Sequence, residues 1–456
     1  MKEKGYFLDK WKLLNGKKLV SSVVTPEGFD YLGYFSIEDP GGISIRLWGP
    51  VKKGLRTEDG EILASVRDET GEIISHICYL NGKLYLPFDP DLVIESLLYE
   101  RYLKPSSFLS IVSRFYYMAK PMMPIALQVM LRTTFYRLKR IQDTFPAWPF
   151  DDRLHRFELY ILKLLMKSQG IKELPFLWFW PSGYQFALLL THDVESSSGV
   201  RNIKKVIELE KKYGFKSSFN FVTNKYEIPD DLIKRIKREG FEVGVHGYKH
   251  DGKLFCNYTI FRARIRQVQK KAEKWGAVGF RSPSTLRNLD WLREIPFFYD
   301  SSFFDTDPYE PQPGGTFSFF PFRLGKLIEL PMTLPQDHIL FRYLGEKSPR
   351  VWLNKVIQIK SKYGLALLNA HPDKGYLGEP KNLLIYEEFL RNLRKIEGFW
   401  NPLPRELARW WLERITFDLD GKGEVILPEE AVWAYLEIED DRLSIDLKPR
   451  PSPSVI

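Results

Sequence analysis

Between residues 186 and 370 the sequence repeats one pattern, in which short apolar runs alternate with longer amphipathic stretches. The first run, 186–191, is apolar at almost every position, which is typical of a parallel strand buried on both faces. The amphipathic stretches 201–213 and 230–239 each end at a glycine, as helices commonly do. Further apolar runs occupy residues 217–222, 241–245, 278–281, 297–299, 327–330 and 366–369. This alternation predicts an α/β fold built on a parallel sheet or barrel.

Residues that can do chemistry follow these predicted strands, one strand after another. They are Asp193, Glu195, His246, His250, Arg281, Asp300 and His371. In parallel α/β folds the carboxyl ends of the strands lie at the same edge of the sheet, where reactive groups gather. We therefore expect these side chains to converge into one site.

The histidine pair is spaced as metal ligands often are. His246 and His250 are four residues apart, so a helical or turn-like backbone can point both rings at the same place. Two neutral imidazoles and a carboxylate form a common open metal site. A bare pair at this spacing also occurs as surface or capping histidines, but the position after a buried strand favours metal ligation.

Asp193 and Glu195 are two residues apart, just past the first strand. An extended backbone would point both carboxylates to one face. One could then bind a metal while the other accepts a proton. The alternative is an acidic helix N-terminus that complements the helix dipole.

The flanking regions differ in pattern from this central part. Residues 1–100 alternate short β-type runs with turns, among them Asn81-Gly82, a strong hairpin signal, and predict a β-rich N-terminal domain. We predict a helical linker at 101–180, the catalytic α/β region at 181–400 and a small C-terminal β segment at 401–456. No internal repeat is visible.

Composition excludes several classes of protein. The net charge of +9 favours an acidic or phosphate-bearing partner, although a solvated Lys/Glu-rich surface would look the same. Two cysteines are too few for a disulfide scaffold or a cysteine-rich zinc module. The sequence shows no nucleic-acid-binding signature, so we expect no nucleic-acid partner.

The sequence carries no pattern of a signal peptide or a spanning helix, so we expect a cytoplasmic protein. The most apolar stretch, 108–131, contains Arg114, Lys120 and two prolines. We interpret it as a buried helical hairpin, with a helix resting on a membrane surface as the alternative. The sequence does not predict an oligomeric state.

Taken together, the strand-end motifs resemble those of the polysaccharide deacetylases, the NodB-homology domain of carbohydrate esterase family 4. The resemblance covers about residues 186–373. The matching motifs are Thr191-His192-Asp193-Val194-Glu195, the pair His246 and His250, Arg281-Ser282-Pro283 and Leu368-Asn369-Ala370-His371. It implies a distorted seven-stranded (β/α) barrel that holds a divalent metal, usually zinc, and hydrolyses an acetyl group with metal-activated water.

The resemblance also implies roles for individual residues. Asp193 matches the catalytic base, Arg281 the residue that holds this base, and His371 the general acid. His246 and His250 match metal ligands. Val194 stands at the usual metal-aspartate position and cannot bind metal, so Glu195 is assigned as the third ligand, as in an Asp-x-Asp variant of the motif.

Two positions of the motifs stay open. Asp300, Asp305 or Asp307 could be the carboxylate that partners the acid His371, and we favour Asp300 because it directly follows a strand. His192 replaces the usual phenylalanine, and we favour packing over metal ligation for it.

These assignments predict a hydrolase that removes an N- or O-linked acetyl group from a saccharide or sugar conjugate, with a phosphate-linked sugar as one candidate substrate. One alternative is hydrolysis of a small cyclic amide or ureide on the same barrel. Another is a non-catalytic carbohydrate-binding protein. Five aromatic residues could stack on sugar rings or pack in the core or a lid, and the sequence leaves both roles open: Trp178, Trp180, Phe303, Phe304 and Tyr309.

Overall fold

A computed structural model describes residues 5–57, 59–103, 145–417, 419 and 429–447. The predicted hairpin or membrane-surface helix at 108–131 lies outside the described residues. The chain forms two compact units. One unit contains residues 1–103, 151–183 and 410–456, and the other contains residues 104–150 and 184–409. None of the helices in the described ranges combines the length and apolar composition needed to cross a bilayer.

The first unit is built on two antiparallel sheets. In spatial order the larger one contains strands Val23–Val24, Lys83–Tyr85, Ile73–Leu80, Glu61–Asp68, Tyr31–Glu38 and Ser44–Val51. Its first two strands pair in parallel, and all other neighbours are antiparallel. The smaller one contains Arg442–Asp446, Trp433–Glu439 and Glu173–Leu177. The helices that begin in this unit are Tyr6–Trp11, Gly16–Val20, Pro90–Leu98 and Arg153–Ser168.

The hairpin predicted at Asn81-Gly82 is confirmed. Leu80 pairs with Lys83, and the two turn residues have φ angles of 50° and 76°. Positive φ at both central positions is the requirement of a tight type I′ turn, which Asn-Gly tolerates well.

The division of the flanks at 101–180 and 401–456 does not match the two units. Strand Glu173–Leu177, from the predicted linker, pairs antiparallel with Trp433–Glu439, from the predicted C-terminal segment. Both belong to the same unit as the N-terminal sheet. Strand pairing over such a sequence separation leaves no local pattern, so the periodicity of each segment could not predict it.

The second unit carries a nine-stranded sheet. Its strands are β1 (Phe186–Val194), β2 (Ser217–Phe221), β3 (Glu242–Val245), β4 (Gly279–Phe280), β5 (Tyr299–Asp300), β6 (Phe322–Leu324), β7 (Leu327–Glu329), β8 (Leu365–Ala370) and β9 (Phe399–Trp400). Its α-helices are α1 (Ser197–Lys212), α2 (Asp230–Arg238), α3 (Tyr258–Trp275), α4 (Leu289–Leu292), α5 (Arg350–Lys360) and α6 (Pro380–Leu393). A further helix, Pro404–Thr416, follows β9 in the chain.

The predicted α/β class is confirmed in this unit. The strands lie in the order β6-β7-β5-β4-β3-β2-β1-β8, with β9 also paired to β1. All neighbouring pairs are parallel except β6 with β7. Each of the seven predicted strands corresponds to one of the parallel strands β1–β5, β7 and β8. The sheet exceeds seven strands because the short β6 adds a strand at one margin and the short β9 pairs with the first residues of β1.

Apolar composition explains why the central strands form. All nine residues of β1 and all six of β8 are buried, as expected for parallel strands covered by helices on both faces. After β7 the chain returns to the opposite margin of the sheet, where the backbone N–H groups of Thr333 and Leu334 donate to the carbonyl of Leu367 in β8. The carboxyl ends of β1, β3, β4 and β8 therefore open on the same side.

Candidate active site

Most of the predicted site residues come together at the carboxyl ends of the strands. Asp193 is the second-last residue of β1, and Glu195 directly follows that strand. His246 follows β3, Arg281 follows β4 and His371 follows β8. The strands position these side chains because parallel neighbours end at the same edge.

Glu195, His246 and His250 form a candidate metal centre. One potential ligand atom from each lies within 4.8 Å of the others. Glu195 Oε1 is 2.8 Å from His250 Nε2 and 3.8 Å from His246 Nε2. About a fifth of the Glu195 side-chain surface is exposed, 22%, so the centre opens to solvent on this side.

The two imidazoles are arranged as metal ligands are. Nδ1 of His246 lies 3.2 Å from the carbonyl oxygen of Arg281, so Nδ1 carries the proton and Nε2 keeps its lone pair. Nε2 of His246 and Nε2 of His250 are buried atoms without a hydrogen-bond partner. Two unpartnered buried nitrogens and a carboxylate oxygen facing one point fit a divalent cation such as zinc.

The backbone at Glu195 is held by a carboxylate from the loop after β8. The N–H of Glu195 donates to Asp373 Oδ2 at 3.0 Å, and the Ser196 hydroxyl donates to Asp373 Oδ1. Val194, at the usual metal-aspartate position, is fully buried. The chain therefore presents the next acidic residue, Glu195, toward the histidines.

Asp193 is buried and surrounded by donors. Its Oδ1 accepts from Asn220 Nδ2 at 3.0 Å and from Arg281 Nη1 at 3.1 Å, and its Oδ2 accepts from Asn369 Nδ2 at 2.8 Å. Burial alone would raise the pKa of Asp193, but the positive charges of Arg281 and His371 and the hydrogen bond from Asn220 hold the pKa well below its usual range. Asp193 is therefore ionised at neutral pH.

Arg281 is fixed by other hydrogen bonds. Its Nε donates to the carbonyl of Ser301 at 2.8 Å, and its Nη2 donates to the Ser301 hydroxyl at 2.9 Å. Its Nη1 also donates to the Thr191 hydroxyl at 2.9 Å. A buried guanidinium with these partners holds Asp193 in one orientation.

His371 is paired with Asp337, which corrects the assignment of Asp300 to this role. Asp337 Oδ1 is 2.7 Å from His371 Nδ1, and Asp337 Oδ2 accepts from the backbone N–H of His371 at 2.8 Å. Burial would lower the pKa of His371, but Asp337 and then the more distant Glu195 and Asp193 raise it to about 10. His371 is therefore protonated at neutral pH.

Asp300 lies inside the sheet instead. It is fully buried at the end of β5, where its Oδ1 accepts from the Ser302 hydroxyl at 2.7 Å. Burial raises the pKa of Asp300 to about 6, and burial together with Asp300 raises the pKa of Glu329 well above its usual range. Its position after a strand was the reason to favour it, but with β5 only two residues long that position did not determine the direction of the side chain.

His192 packs below the site. Its ring stacks on Phe219 at a centroid distance of 4.9 Å. Its Nε2 lies 2.8 Å from Glu210 Oε1, and its Nδ1 lies 3.2 Å from the carbonyl oxygen of Ala370. These contacts agree with the packing role favoured from the sequence.

Several residues of the site were missed by reasoning from the sequence. Asn220 in β2 and Asn369 in β8 bind Asp193, and Gln336 accepts from Asn369 at 2.6 Å. The signal was an amide within a fully buried strand, because a buried amide requires a partner. Of the roles left open for the aromatic residues, burial favours packing over stacking on a sugar for Trp178, Trp180, Phe303, Phe304 and Tyr309.

The site combines a candidate metal centre with an ionised carboxylate and a protonated imidazole, as metal-dependent hydrolases do. Comparison with known families agrees with the resemblance given by the motifs. Residues 184–288 match the family model described as polysaccharide deacetylase. The predicted resemblance to this family is thereby confirmed.

Individual relatives are distant. A peptidoglycan deacetylase of Helicobacter pylori (strain ATCC 700392 / 26695) is 22% identical over 255 residues, which cover 48% of this chain and 86% of that protein. Among solved structures, Puue allantoinase is 16% identical with a TM-score of 0.40, covering 51% of this chain and 92% of that one. Peptidoglycan deacetylase PdaC from Bacillus subtilis is 13% identical with a TM-score of 0.34, covering 51% and 94%.

Proposed function

We propose that this chain is a metal-dependent hydrolase that removes an acetyl group, N- or O-linked, from a saccharide or sugar conjugate. The observation that carries the proposal is the grouping of Glu195, His246 and His250, with Asp193 on one flank and His371 on the other. Asp193 Oδ2 is 3.7 Å from His246 Nδ1, and His371 Nε2 is 3.7 Å from Glu195 Oε1.

The metal would be divalent, and zinc suits the donor set best. Two imidazole nitrogens and one carboxylate oxygen would hold it and leave positions open for water and substrate. When bound, such a cation polarises the acyl oxygen and lowers the pKa of water. Water and substrate would approach from the solvent-exposed side of Glu195.

Asp193 would act as the general base. It is ionised, and the remaining lone pair of Oδ2 can accept the proton of an attacking water. Arg281, Asn220 and Asn369 hold the carboxylate in place during this transfer. The barrier is lowered because the carboxylate need not reorient.

His371 would act as the general acid. Asp337 accepts a hydrogen bond from the Nδ1–H of His371. The second ring proton of the imidazolium is therefore on Nε2, which faces Glu195. From there it can be donated to the leaving nitrogen or oxygen of the sugar. The two catalytic groups thus hold opposite protonation states at the same pH.

The binding-only alternative is disfavoured by this arrangement. A carbohydrate-binding protein would have no use for two unpartnered buried imidazole nitrogens beside an ionised aspartate, because each unmade hydrogen bond costs stability. Hydrolysis of a cyclic amide or ureide would use the same groups, and a substrate panel separates it from deacetylation.

The test is release of acetate from a panel of N- and O-acetylated saccharides, with cyclic ureides included, before and after treatment with a chelator. We expect acetate from at least one saccharide, loss after chelation and recovery on addition of zinc. Release that persists after complete removal of metal would contradict the mechanism, and turnover of the ureides alone would favour the alternative.

The variant His246→Ala should lose bound metal and activity together, because it removes one of the two imidazole ligands. His76→Ala is the matched control, since His76 lies in the strand Ile73–Leu80 of the other unit. Metal content by atomic emission and acetate release should both stay at the wild-type level in the control.

A further inference from the structure

Arg342 and Tyr376 lie beside His371 and have no part in the mechanism above. The Tyr376 ring is 5.1 Å from the His371 ring between centroids, and the guanidinium carbon of Arg342 is 4.6 Å from the centre of the Tyr376 ring. Nη1 of Arg342 donates to the Tyr376 hydroxyl at 2.8 Å. The guanidinium therefore lies one aromatic ring away from the proposed acid.

The charge of Arg342 is not matched by the protein. Arg281, the other arginine of the site, is in ion-pair contact with Asp193. Arg342 has no carboxylate in ion-pair contact within the described ranges, and the Tyr376 hydroxyl is the acceptor there for its N–H groups. A half-buried cation is stabilised best by an anion, so a partner from outside the protein would complete this position.

The backbone around Arg342 leaves space for its guanidinium. Arg342 lies on the short helix Ile339–Leu344, whose hydrogen bonds are of the π type, which often occurs at functional sites. Gly375 has a φ of +89°, and a Cβ at this position would lie 3.1 Å from Arg342 Nη2. The absence of a side chain at Gly375 therefore leaves room for the guanidinium beside Tyr376.

We propose that Arg342, oriented by Tyr376, binds a phosphate or carboxylate group of the substrate, so that the substrate is an anionic acetylated saccharide. The inference rests on the proposed function and specifies its substrate class. The planar guanidinium can donate two parallel hydrogen bonds to such an oxyanion. Because Tyr376 contacts both the Arg342 guanidinium and the His371 ring, the anion would be a substituent of the acetylated sugar or of its neighbour, and the net charge of +9 adds long-range attraction.

Binding tests this inference without requiring turnover. Isothermal titration calorimetry would compare N-acetylglucosamine 1-phosphate, N-acetylmuramic acid and neutral N-acetylglucosamine. We expect the wild type to bind at least one anionic sugar ~10-fold or more tightly than the neutral one, as charge-assisted hydrogen bonds contribute. The stronger of the two anionic ligands identifies phosphate or carboxylate as the group recognised.

Two variants assign the effect to Arg342. Arg342→Gln should bring the affinity for the anionic sugar down to that for the neutral sugar and leave the neutral one within ~2-fold. Arg266→Gln, at an exposed arginine on α3, is the matched control and should keep the preference. Equal binding of all three sugars by the wild type, or a preference that survives in Arg342→Gln, would overturn the inference.

Acetate release separates this inference from the proposed function. With active enzyme, Arg342→Gln should raise KM for the anionic substrate and leave kcat within ~2-fold, because Arg342 contacts a group remote from the reacting carbonyl. If the anionic sugars bind through Arg342 and no acetylated saccharide releases acetate, the proposed function fails and the anion site stands. If acetate is released at rates that do not depend on Arg342, the anion site fails and the proposed function stands.

Discussion

At the scale of single residues, the site keeps two neighbouring groups in opposite charge states by giving each its own partners. Asp193 has Arg281 and two amides, which favour the carboxylate. His371 has Asp337, which favours the imidazolium. Burial opposes the charged form of both groups, so the specific partners decide the outcome.

The pair of His371 and Asp337 leads to a prediction about pH. Asp337→Asn removes the negative charge that contributes most to the raised pKa of His371, so this pKa falls from about 10. The acid must be protonated to act, and the basic limb of the kcat/KM profile should therefore move to lower pH by at least ~1 unit. Acetate release measured from pH 6 to 10 checks this shift.

Asp300→Asn is the control, because Asp300 contacts Ser302 and Glu329 instead of His371. Its basic limb should coincide with that of the wild type. A shift in Asp300→Asn without one in Asp337→Asn would contradict the pairing described here.

These residues also show where prediction from sequence ended. The catalytic base, the first histidine of the pair and the acid were predictable because each lies at the carboxyl end of a fully buried strand. Asp337 lies in the connection between β7 and α5, at the start of a short helical segment that no apolar periodicity indicates in the sequence. The choice of Asp300 used a rule that holds for strand ends but did not apply to the loop that supplies the partner.

At the scale of elements, the strands determine the positions of the functional side chains at their carboxyl ends. The strand β3 carries His246 at its carboxyl end and the buried Glu242 at its start. Glu242 accepts from the Tyr299 hydroxyl at 2.9 Å and from the N–H of Arg405 at 3.0 Å. It thereby ties β3 to β5 and to the start of the helix Pro404–Thr416.

Glu242 makes stability depend on pH. Burial raises its pKa from 4.5 to about 7, although hydrogen bonds from Arg405 and Tyr299 oppose the change. Between these two values the folded protein holds a proton that the unfolded chain has released. The free energy of unfolding therefore falls as pH rises from 4.5 to about 7. At higher pH, Glu242 no longer changes it.

Glu242→Gln should remove this part of the pH dependence, because the amide does not titrate and can still bond Tyr299 and Arg405. We expect urea denaturation to show that the free energy of unfolding falls by about 3 kcal/mol less between pH 4.5 and 7.5 in this variant than in the wild type. Glu208→Gln, at an exposed position of α1, should keep the wild-type slope. A wild-type slope in Glu242→Gln would show that Glu242 is ionised in the folded protein throughout.

At the scale of the whole molecule, the chain divides into two units, and the candidate site belongs to one of them. Local periodicity predicted the seven parallel strands of this unit since each is a buried apolar run. It did not predict that residues 173–177 and 433–439 pair in the other unit, because the partner of an edge strand is set by long-range packing. The chemistry was therefore easier to predict than the arrangement of the flanking segments.

The central claim is that Glu195, His246 and His250 hold one divalent cation while Asp193 acts on water beside it. The most direct measurement is the zinc content of purified protein together with acetate release, in the wild type, Glu195→Gln and Asp193→Asn. We predict one zinc per wild-type chain, weakened zinc binding in Glu195→Gln, and full zinc content with a rate ~10²–10⁴-fold lower in Asp193→Asn. A wild-type chain that binds no zinc, or Asp193→Asn at the full rate, would contradict the claim.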